Sequence, residues 1–286
     1  MNPVSIITGT SSGVGLSLSV LLAERGHTVY ATMRSLGKRG ALEAAAAERG
    51  VEVRVLQLDV QDDASVQACV DQIMAETGRI DALVNNAGAG FIRSTEQASM
   101  DEIRWVMDVN FLGVVRCSKA VIPHMRAAGS GRIVNVSSVG GLVGQPFNEI
   151  YCAAKFAVEG YTEAMASYLE PAFGIRFTAV EPGGIRSEFA NSALAQFQET
   201  GGVLDDPYKP ILQTYLGNAQ KRIGSGESVS QTPAEVAAVI ADVLEDDDPP
   251  VRVRTSEWAE ALCHLKTGLD PTGKALQAQV IEELLG

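Results

Sequence analysis

The chain is poor in cysteine and histidine, and this scarcity argues against several kinds of site. Cys69, Cys117, Cys152 and Cys263 are widely spaced and include no C-x-x-C pair, so neither a disulfide framework nor a zinc site is expected. The three histidines stand apart from one another and are expected at the surface or at helix ends. The sequence therefore predicts no metal centre.

Basic side chains are also fewer than acidic ones. The sequence has 23 lysines and arginines against 35 aspartates and glutamates, a formal net charge of −12. Because a basic patch is the electrostatic mark of nucleic-acid binding, no nucleic-acid partner is expected. No apolar run approaches the roughly 20 residues that cross a bilayer. The first strand is expected to begin at Val4, which leaves no room for a signal peptide, so we predict a cytoplasmic protein without a membrane span.

Apolar strand-like runs and helical stretches alternate over most of the chain. Such alternation is typical of βαβ units, which form a parallel sheet with helices on both faces. The strands are predicted at Val4–Thr8, Thr28–Thr32, Glu52–Leu58, Ala82–Asn85, Arg132–Ser137, Ile175–Glu181 and Val251–Arg254. The helices are predicted at Gly15–Arg25, Leu36–Arg49, Asp63–Glu76, Met100–Ala127, Tyr151–Phe173 and Pro233–Leu244. This pattern favours one α/β domain, residues 1–286, with a doubly wound and mostly parallel sheet of seven strands.

One long excursion interrupts the alternation between Pro182 and Thr232. It is rich in glycine and proline, and its roughly fifty residues exceed an ordinary connection. Its apolar side chains predict short helices that form a substrate lid at about residues 183–232. Two more helices are expected in a C-terminal extension at about residues 256–286.

A glycine-rich turn joins the first strand to the first helix. In such a turn the glycines let the backbone approach a pyrophosphate, which the free N–H groups of the helix N-terminus then bind. An ordinary turn is the alternative, but the position after the first strand favours a dinucleotide site. The candidate binding residues are Gly9, Ser11, Ser12, Gly13, Val14 and Gly15.

The end of the second strand bears on the choice of dinucleotide. NAD-binding folds place a carboxylate about 20 residues past the glycines, whereas Met33 occupies that place here and Arg34 follows. The arginine favours a 2′-phosphate and hence NADP(H); the alternative is a solvated loop arginine. Further along, Asp59 is a candidate acceptor for the adenine amino group or, equally, a helix N-cap. Val60, Asn86, Ala87 and Gly88 complete this edge of the expected site.

Tyr151 and Lys155 are spaced to share one face of a helix. A cation beside a phenol favours the phenolate, so the lysine is expected to lower the tyrosine pKa. Ser138, which follows the fifth strand, can bring a hydroxyl to the same reacting oxygen. The three side chains predict a proton-transfer site, although a tyrosine and a lysine at this spacing also occur by chance in helices.

Four motifs in this order resemble the short-chain dehydrogenase/reductase family. They are T-G-x-x-x-G-x-G at residues 8–15, N-N-A-G at residues 85–88, a helix asparagine at Asn110, and the group Ser138, Tyr151 and Lys155. The resemblance implies a Rossmann fold and an oxidoreductase. Residues 30–36 and 138–160 are more closely similar to the branch that contains estrogenic 17β-hydroxysteroid and retinol dehydrogenases.

The resemblance also implies roles for individual residues. Tyr151 is expected to donate a proton to a ketone oxygen, Ser138 to stabilise the developing alkoxide, and Lys155 to hydrogen-bond the nicotinamide ribose. Asn110 is expected to anchor a water molecule that passes protons to the lysine. The loop after the sixth strand is expected to hold the nicotinamide through Pro182, Gly183, Ile185 and Ser187.

A bulky hydrophobic ketone or alcohol, steroid-like or retinoid-like, is the expected substrate class. The candidate substrate residues are Leu142, Val143, Phe147, Phe189, Phe197, Tyr215 and Asn218, of which some are expected to be plain core. Asn218 matches a lid histidine of the steroid enzyme, and Glu283 is a second candidate contact. The alternatives are a reductase of small or polyketide-type ketones and a non-catalytic NADP(H) sensor. A homodimer or homotetramer is expected by resemblance. Ala157, Gly160 and Ala164 are small enough to allow close packing of their helix against a partner helix or, equally, within the subunit.

Overall fold

The computed structural model describes residues 2–224 and 230–285, and its centre is a seven-stranded sheet. The strand order is β3-β2-β1-β4-β5-β6-β9, and every pairing in this sheet is parallel. The strands are β1 (Val4–Thr8), β2 (Thr28–Met33), β3 (Arg54–Gln57), β4 (Ala82–Asn85), β5 (Gly131–Val136), β6 (Ile175–Glu181) and β9 (Arg252–Arg254), with β7 (Gly184–Ile185) and β8 (Ser230–Gln231) forming a separate small pair. The order reverses between β1 and β4, as the doubly wound fold requires.

Helices cover both faces of the sheet. They are α1 (Gly13–Glu24), α2 (Gly40–Arg49), α3 (Asp63–Thr77), α4 (Met100–Met107), α5 (Gly113–Ala128), α6 (Glu149–Phe173), α7 (Glu188–Glu199), α8 (Lys209–Gly224), α9 (Pro233–Glu245), α10 (Glu257–Thr267) and α11 (Lys274–Leu284). Two large apolar clusters fill the space on either side of the sheet, one centred on Leu18 and Ile240 and the other on Leu83 and Phe177. Strands buried on both faces are what a parallel sheet requires, and all five residues of β1 are buried.

Two predicted helices are interrupted. The helix expected at Met100–Ala127 is broken by a wider π-helical turn at Asp108–Leu112, and the one expected at Leu36–Arg49 begins with a separate short turn at Leu36–Lys38. The prediction of one continuous helix was wrong in both places, because periodicity alone reveals neither the extra residue of a π-helical turn nor the tighter winding of a short 3₁₀ turn. The π-helical turn contains Asn110, and such turns are frequent at functional sites.

The excursion after β6 contains α7 and α8, as the apolar pattern predicted. An aromatic and aliphatic cluster attaches the two helices to the rest of the fold, and its buried members are Phe147, Phe197 and Leu212. The excursion ends at Thr232, whose side chain accepts from Glu235 N and so forms the predicted N-cap of α9. Residues 225–229 of the predicted lid lie outside the described residues.

The two C-terminal helices pack at the β9 side of the sheet. α11 lies against α6, where Gln277 Nε2 donates to Ala166 O at 3.0 Å. Gly160 and Ala164 line an open cavity of about 240 Å³ between these helices, so within the subunit they face α11. Within the described ranges, no helix combines the length and apolarity needed to cross a bilayer.

Candidate active site

The glycine-rich turn lies at the carboxyl end of β1, against the β4 turn. Gly9 and Gly13 have φ values of +71° and +59°, which side chains disfavour, and a Cβ on Gly9 would lie only 2.7 Å from Ala87 Cα. Asn86 Nδ2 donates to Thr8 O at 2.9 Å and to Gly9 O at 3.0 Å. The N-N-A-G segment therefore packs against the glycine turn and fixes its shape through these hydrogen bonds.

The N-terminus of α1 fits a phosphate. Ser12 is its N-cap residue, yet its side chain makes no capping hydrogen bond, so the first N–H groups of the helix are left for another acceptor. An anion is the acceptor that the helix dipole favours at this end. The predicted residues Ser11, Ser12, Gly13, Val14 and Gly15 are thus brought together in a geometry that suits a dinucleotide pyrophosphate.

A small pocket of about 100 Å³ opens beside this turn, at the end of β2. Two cationic side chains and two hydroxyls line it, together with one methionine: Arg34, Lys38, Ser11, Ser35 and Met33. The described lining contains no carboxylate. Lys38 and Ser35 were missed in the sequence because they follow the strand on an irregular turn, where no motif marks them.

Asp59 does not cap a helix. The N-cap of α3 is Asp62, whose carboxylate accepts from Ala64 N at 2.9 Å. Asp59 Oδ1 instead accepts from Gln61 N at 3.0 Å and shapes the turn after β3, so the N-cap alternative was wrong. The neighbouring Val60 carbonyl accepts from Arg116 Nη1 at 3.1 Å.

Ser138, Tyr151 and Lys155 meet where β5 ends beside the start of α6. Ser138 has extended backbone and its Oγ accepts from Gly140 N at 2.9 Å, which begins a short turn at Val139–Gly141. A Cβ on Gly140 would lie 3.3 Å from Ser138 Oγ and 3.4 Å from a ring carbon of Tyr151, so the two side chains are close together. Lys155 Nζ lies 5.8 Å from the centre of the Tyr151 ring, so one helix face presents both groups as the spacing predicted.

Burial controls the protonation of this group. It raises the pKa of Tyr151 to about 12, against the opposing effect of the Ser138 hydrogen bond, and it lowers the pKa of Lys155 to about 8. The expected lowering of the tyrosine pKa by Lys155 was therefore wrong in this arrangement. The ammonium lies beside the ring and donates to the Val136 carbonyl, while desolvation dominates at the phenol. At neutral pH the tyrosine carries its proton, as a general acid must.

Asn110 is fully buried next to these groups. Its Oδ1 accepts from Ala89 N at 3.0 Å and its Nδ2 donates to Ala89 O at 2.9 Å and Val106 O at 3.0 Å. The side chain thus clamps the segment after N-N-A-G to the π-helical turn. A Cβ on Gly88 would lie 3.0 Å from Asn110 Oδ1 and 3.8 Å from Lys155 Nζ, which places the asparagine near the lysine.

The loop from Pro182 to Ser187 closes over the glycine turn. Pro182 O accepts from Val139 N at 3.0 Å, and Gly183 lies against the Trp258 ring. A Cβ on Gly13 would lie 3.5 Å from Ser187 Cβ, so the loop comes within contact distance of the turn. Of the four residues expected to hold a nicotinamide, Ser187 is therefore close to the residues expected to hold the pyrophosphate of the same cofactor.

The aromatic and aliphatic candidates for substrate contact fall into three places. Phe189 is partly exposed, with its ring centre 6.0 Å from that of Tyr151. Phe147, Phe197 and Tyr215 belong to the cluster that attaches α7 and α8. Leu142 and Val143 pack against α10 instead, with Ala259 and Cys263. Asn218 is exposed on α8 and Glu283 is exposed on α11, and no described contact joins either to Tyr151.

The buried Arg93 was missed in the sequence, yet it binds the chain at the end of α7. Its guanidinium donates to Thr200 O at 2.5 Å, to Gly202 O at 2.7 Å and to Phe197 O at 3.4 Å. These carbonyls end α7, where the helix dipole favours a cation. Nothing in the sequence around Arg93 indicates a partner more than a hundred residues away. In the described ranges, no three histidine, cysteine or acidic side chains come together in a way that could hold a metal ion.

Comparison with known proteins places this architecture in a family. The short chain dehydrogenase family model matches residues 3–197. The chain belongs to the short-chain dehydrogenase/reductase family. Members of this family are oxidoreductases that act on alcohols and ketones of small molecules with a nicotinamide cofactor, and the resemblance stated from the motifs is confirmed.

Two similar relatives lie in the expected branch. Retinol dehydrogenase 8 of Bos taurus is 42% identical over 274 residues, covering 94% of this chain and 86% of its own. Human 17-beta-hydroxysteroid dehydrogenase type 1 is 36% identical over 289 residues, covering 99% of this chain and 86% of its own.

Solved structures confirm the doubly wound fold. A variant of actinorhodin polyketide ketoreductase determined with NADPH is 28% identical, covers 85% of this chain and 90% of its own, and has a TM-score of 0.73. A family member from Burkholderia phymatum determined with NAD has a TM-score of 0.79 at 24% identity, covering 96% of this chain and 95% of its own. The two structures hold different dinucleotides, so the fold alone does not set the choice between them.

Proposed function

We propose that this short-chain dehydrogenase/reductase is an NADP(H)-dependent enzyme that interconverts a bulky hydrophobic ketone, or aldehyde, and the corresponding alcohol. The observation that carries the proposal is the meeting of Ser138, protonated Tyr151 and Lys155 beside a glycine turn shaped for a dinucleotide. A chain that only senses the cofactor has no need of this buried set.

The pocket at the end of β2 supports NADP(H) over NAD(H). Arg34 and Lys38 place two positive charges beside the Ser11 and Ser35 hydroxyls, which together suit a 2′-phosphate. No described side chain of the pocket offers the carboxylate that binds a free ribose diol in NAD-specific folds.

Each residue of the site has a separate role in the proposed reaction. When bound, the nicotinamide supplies or accepts the hydride. Tyr151 Oη holds the proton that a ketone oxygen takes up, and Ser138 Oγ donates a hydrogen bond to that oxygen as charge develops. Lys155 presents a cation beside the phenol, and Asn110 fixes the segment after Gly88 that faces the lysine. The loop of Pro182, Gly183, Ile185 and Ser187 encloses the nicotinamide end.

The substrate class follows from the side chains near the tyrosine and from the relatives. Phe189 gives the space over Tyr151 an apolar wall, and α7 and α8 provide a lid of matching character. Retinol and 17β-hydroxysteroid dehydrogenases are the relatives named above, so a retinoid-like or steroid-like substrate is favoured. The homodimer or homotetramer and the cytoplasmic location stay predictions.

The proposal is tested by following NADPH and NADH absorbance with three probes: retinal, estrone and cyclohexanone. We expect oxidation of NADPH with retinal or estrone, slower turnover with NADH, and little with cyclohexanone. Turnover of cyclohexanone alone favours a small-ketone reductase. Tight NADPH binding without turnover of any probe favours a cofactor sensor.

The matched variant is Tyr151→Phe, which removes only the phenol oxygen. It is expected to lose turnover by about a hundredfold or more while NADPH fluorescence still reports binding. Turnover close to that of the parent removes the tyrosine from the mechanism.

A further inference from the structure

A pair of buried acids lies directly behind the catalytic group, and neither belongs to the mechanism above. Glu159 is one helical turn beyond Lys155 on α6 and is 6% exposed, while Glu181 ends β6 and is fully buried. The two carboxyls lie close enough to shift each other's pKa, and one oxygen of each is buried without a hydrogen-bond partner among the described residues. Two buried carboxylates that are both ionised repel each other, so one proton between them relieves the repulsion and supplies a donor.

The charges around the pair decide which acid is protonated. Glu181 Oε2 accepts from Arg254 Nη1 at 3.2 Å, and this buried cation favours its ionised form. Glu159 has no such direct partner: burial and the charge of Glu181 raise its pKa well above the ordinary value. The other groups that face Glu159 are Lys155 of its own helix, Ser137 after β5, Arg252 of β9 and, more distantly, Cys263 of α10.

Glu159 is in contact with the turn that presents Ser138. A Cβ on Gly141 would lie 3.0 Å from Glu159 Oε1 and 2.7 Å from Ser137 Oγ, so the turn rests on the acid without a side chain between them. Ser137 Oγ and one oxygen of each glutamate are buried without a hydrogen-bond partner among the described residues. These atoms form a buried polar cluster that lies against the serine turn, and the charge of Glu159 acts on Lys155 one helical turn away.

We propose that Glu159 and Glu181 share one proton and together position the Ser138 turn and set the charge of Lys155. The pair touches neither substrate nor cofactor, so both glutamates are positioning residues. The inference rests on the proposed roles of Ser138 and Lys155. The shared proton itself is a property of the pair and is measurable without turnover.

Infrared spectroscopy tests the proton directly. The parent with NADPH bound is expected to show the carbonyl stretch of a protonated carboxylic acid at neutral pH, and Glu159→Gln is expected to lose that band. Glu170→Gln, a change near the end of the same helix, is the matched control and should keep it. Absence of the band from the parent overturns the shared proton, whatever the enzyme activity.

The pH profile of kcat/KM with NADPH tests the positioning role. Glu159→Gln confines the single negative charge of the pair to Glu181, which is paired with Arg254, so charge is removed from the acid that acts on Lys155 and the alkaline limb is expected to move to lower pH. Glu181→Gln leaves Glu159 as the only carboxyl of the pair and removes the charge that, after burial, opposes its ionisation, so negative charge is expected one helical turn from Lys155 and the limb is expected to move to higher pH. Arg254 keeps Glu260 as partner in that variant.

Opposite shifts support the proposal, because a purely structural role moves both variants alike. Limbs that coincide with that of the parent, or that move in the same direction, overturn it. Failure of the proposed function has a different result: Tyr151→Phe turns over normally while the infrared band is unaffected.

Discussion

Lys155 Nζ donates a hydrogen bond to the main-chain carbonyl of Val136 at 2.8 Å. Val136 is the last residue of β5, two positions before Ser138, so this bond attaches α6 to the strand that delivers the serine. The lysine is almost completely buried, and desolvation lowers its pKa to about 8. Its charge therefore depends on pH within the range where enzymes are assayed.

The rate of ketone reduction is expected to fall as pH rises through about 8. Lys155 loses its proton there, whereas burial keeps Tyr151 protonated up to about pH 12, so the lysine sets the alkaline limb. Lys155→Arg retains the charge because a guanidinium stays protonated. That variant should lose the limb when kcat/KM is measured with NADPH across the alkaline range. Persistence of the same limb in Lys155→Arg assigns the titration to another group.

Part of the site could be predicted because its residues follow the ends of strands in the sequence. Parallel strands end at one edge of a sheet, so the glycine turn after β1, Asn86 after β4 and Ser138 after β5 had to converge. The pKa of Tyr151 was not predictable in this way. Its direction is set by how completely other elements bury the phenol, which spacing along one helix does not tell.

Loss of positive charge at the β2 pocket should change the preference between dinucleotides. Arg34→Asp is expected to weaken NADPH binding by about tenfold to a hundredfold, since a charged hydrogen bond contributes about 1.5–3 kcal/mol. NADH binding should be unchanged or improved, because a carboxylate can bind the ribose diol. Lys38→Ala should act in the same direction with a smaller effect. Both affinities are measurable by fluorescence titration.

Arg39→Ala is the control for the pocket variants. Arg39 adjoins Lys38 but pairs with Glu43 at 3.1 Å and does not line the pocket. Its removal should leave both affinities unchanged. An equal loss of NADPH and NADH binding in Arg34→Asp argues for general disruption of the turn and against a 2′-phosphate contact.

Arg93→Met should loosen the lid. The substitution leaves the carbonyls of Phe197, Thr200 and Gly202 without their charged donor, at a cost of about 2 kcal/mol for buried acceptors. We expect faster proteolysis between α7 and α8 and a higher KM for the hydrophobic substrate, with NADPH affinity little changed. Arg104→Met is the control, because that exposed arginine pairs only with Asp101 among the described residues. Equal proteolysis of the two variants contradicts the role of Arg93.

The lid shows why the remainder of the site was less predictable. Its apolar residues predicted helices correctly, but which of them face Tyr151 depends on how the helices are attached. Arg93 and Phe147 on one side and Phe197 on the other make that attachment across the fold. Among the described aromatic residues of the predicted lid, only Phe189 is in ring contact with Tyr151. Long-range contacts of this kind have no local pattern in a single sequence.

His27 was expected at the surface or at a helix end, and it follows the end of α1, where its N–H donates to Leu22 O. Its side chain is almost buried, and its Nδ1 lies 2.7 Å from Ser5 Oγ. Burial lowers its pKa from the ordinary 6.5, so the fold favours the neutral ring. Above the ordinary pKa the histidine is neutral in both the folded and the unfolded chain. As pH falls below it, the unfolded chain binds a proton before the folded one does, so the free energy of unfolding falls. His27→Gln should show a weaker loss of unfolding free energy between about pH 7.5 and about pH 5.5. His264 is exposed, so His264→Gln is the control and should show the same dependence of unfolding free energy on pH as the parent in urea unfolding. If His27→Gln also shows the same dependence as the parent, His27 does not contribute to the loss of stability in acid.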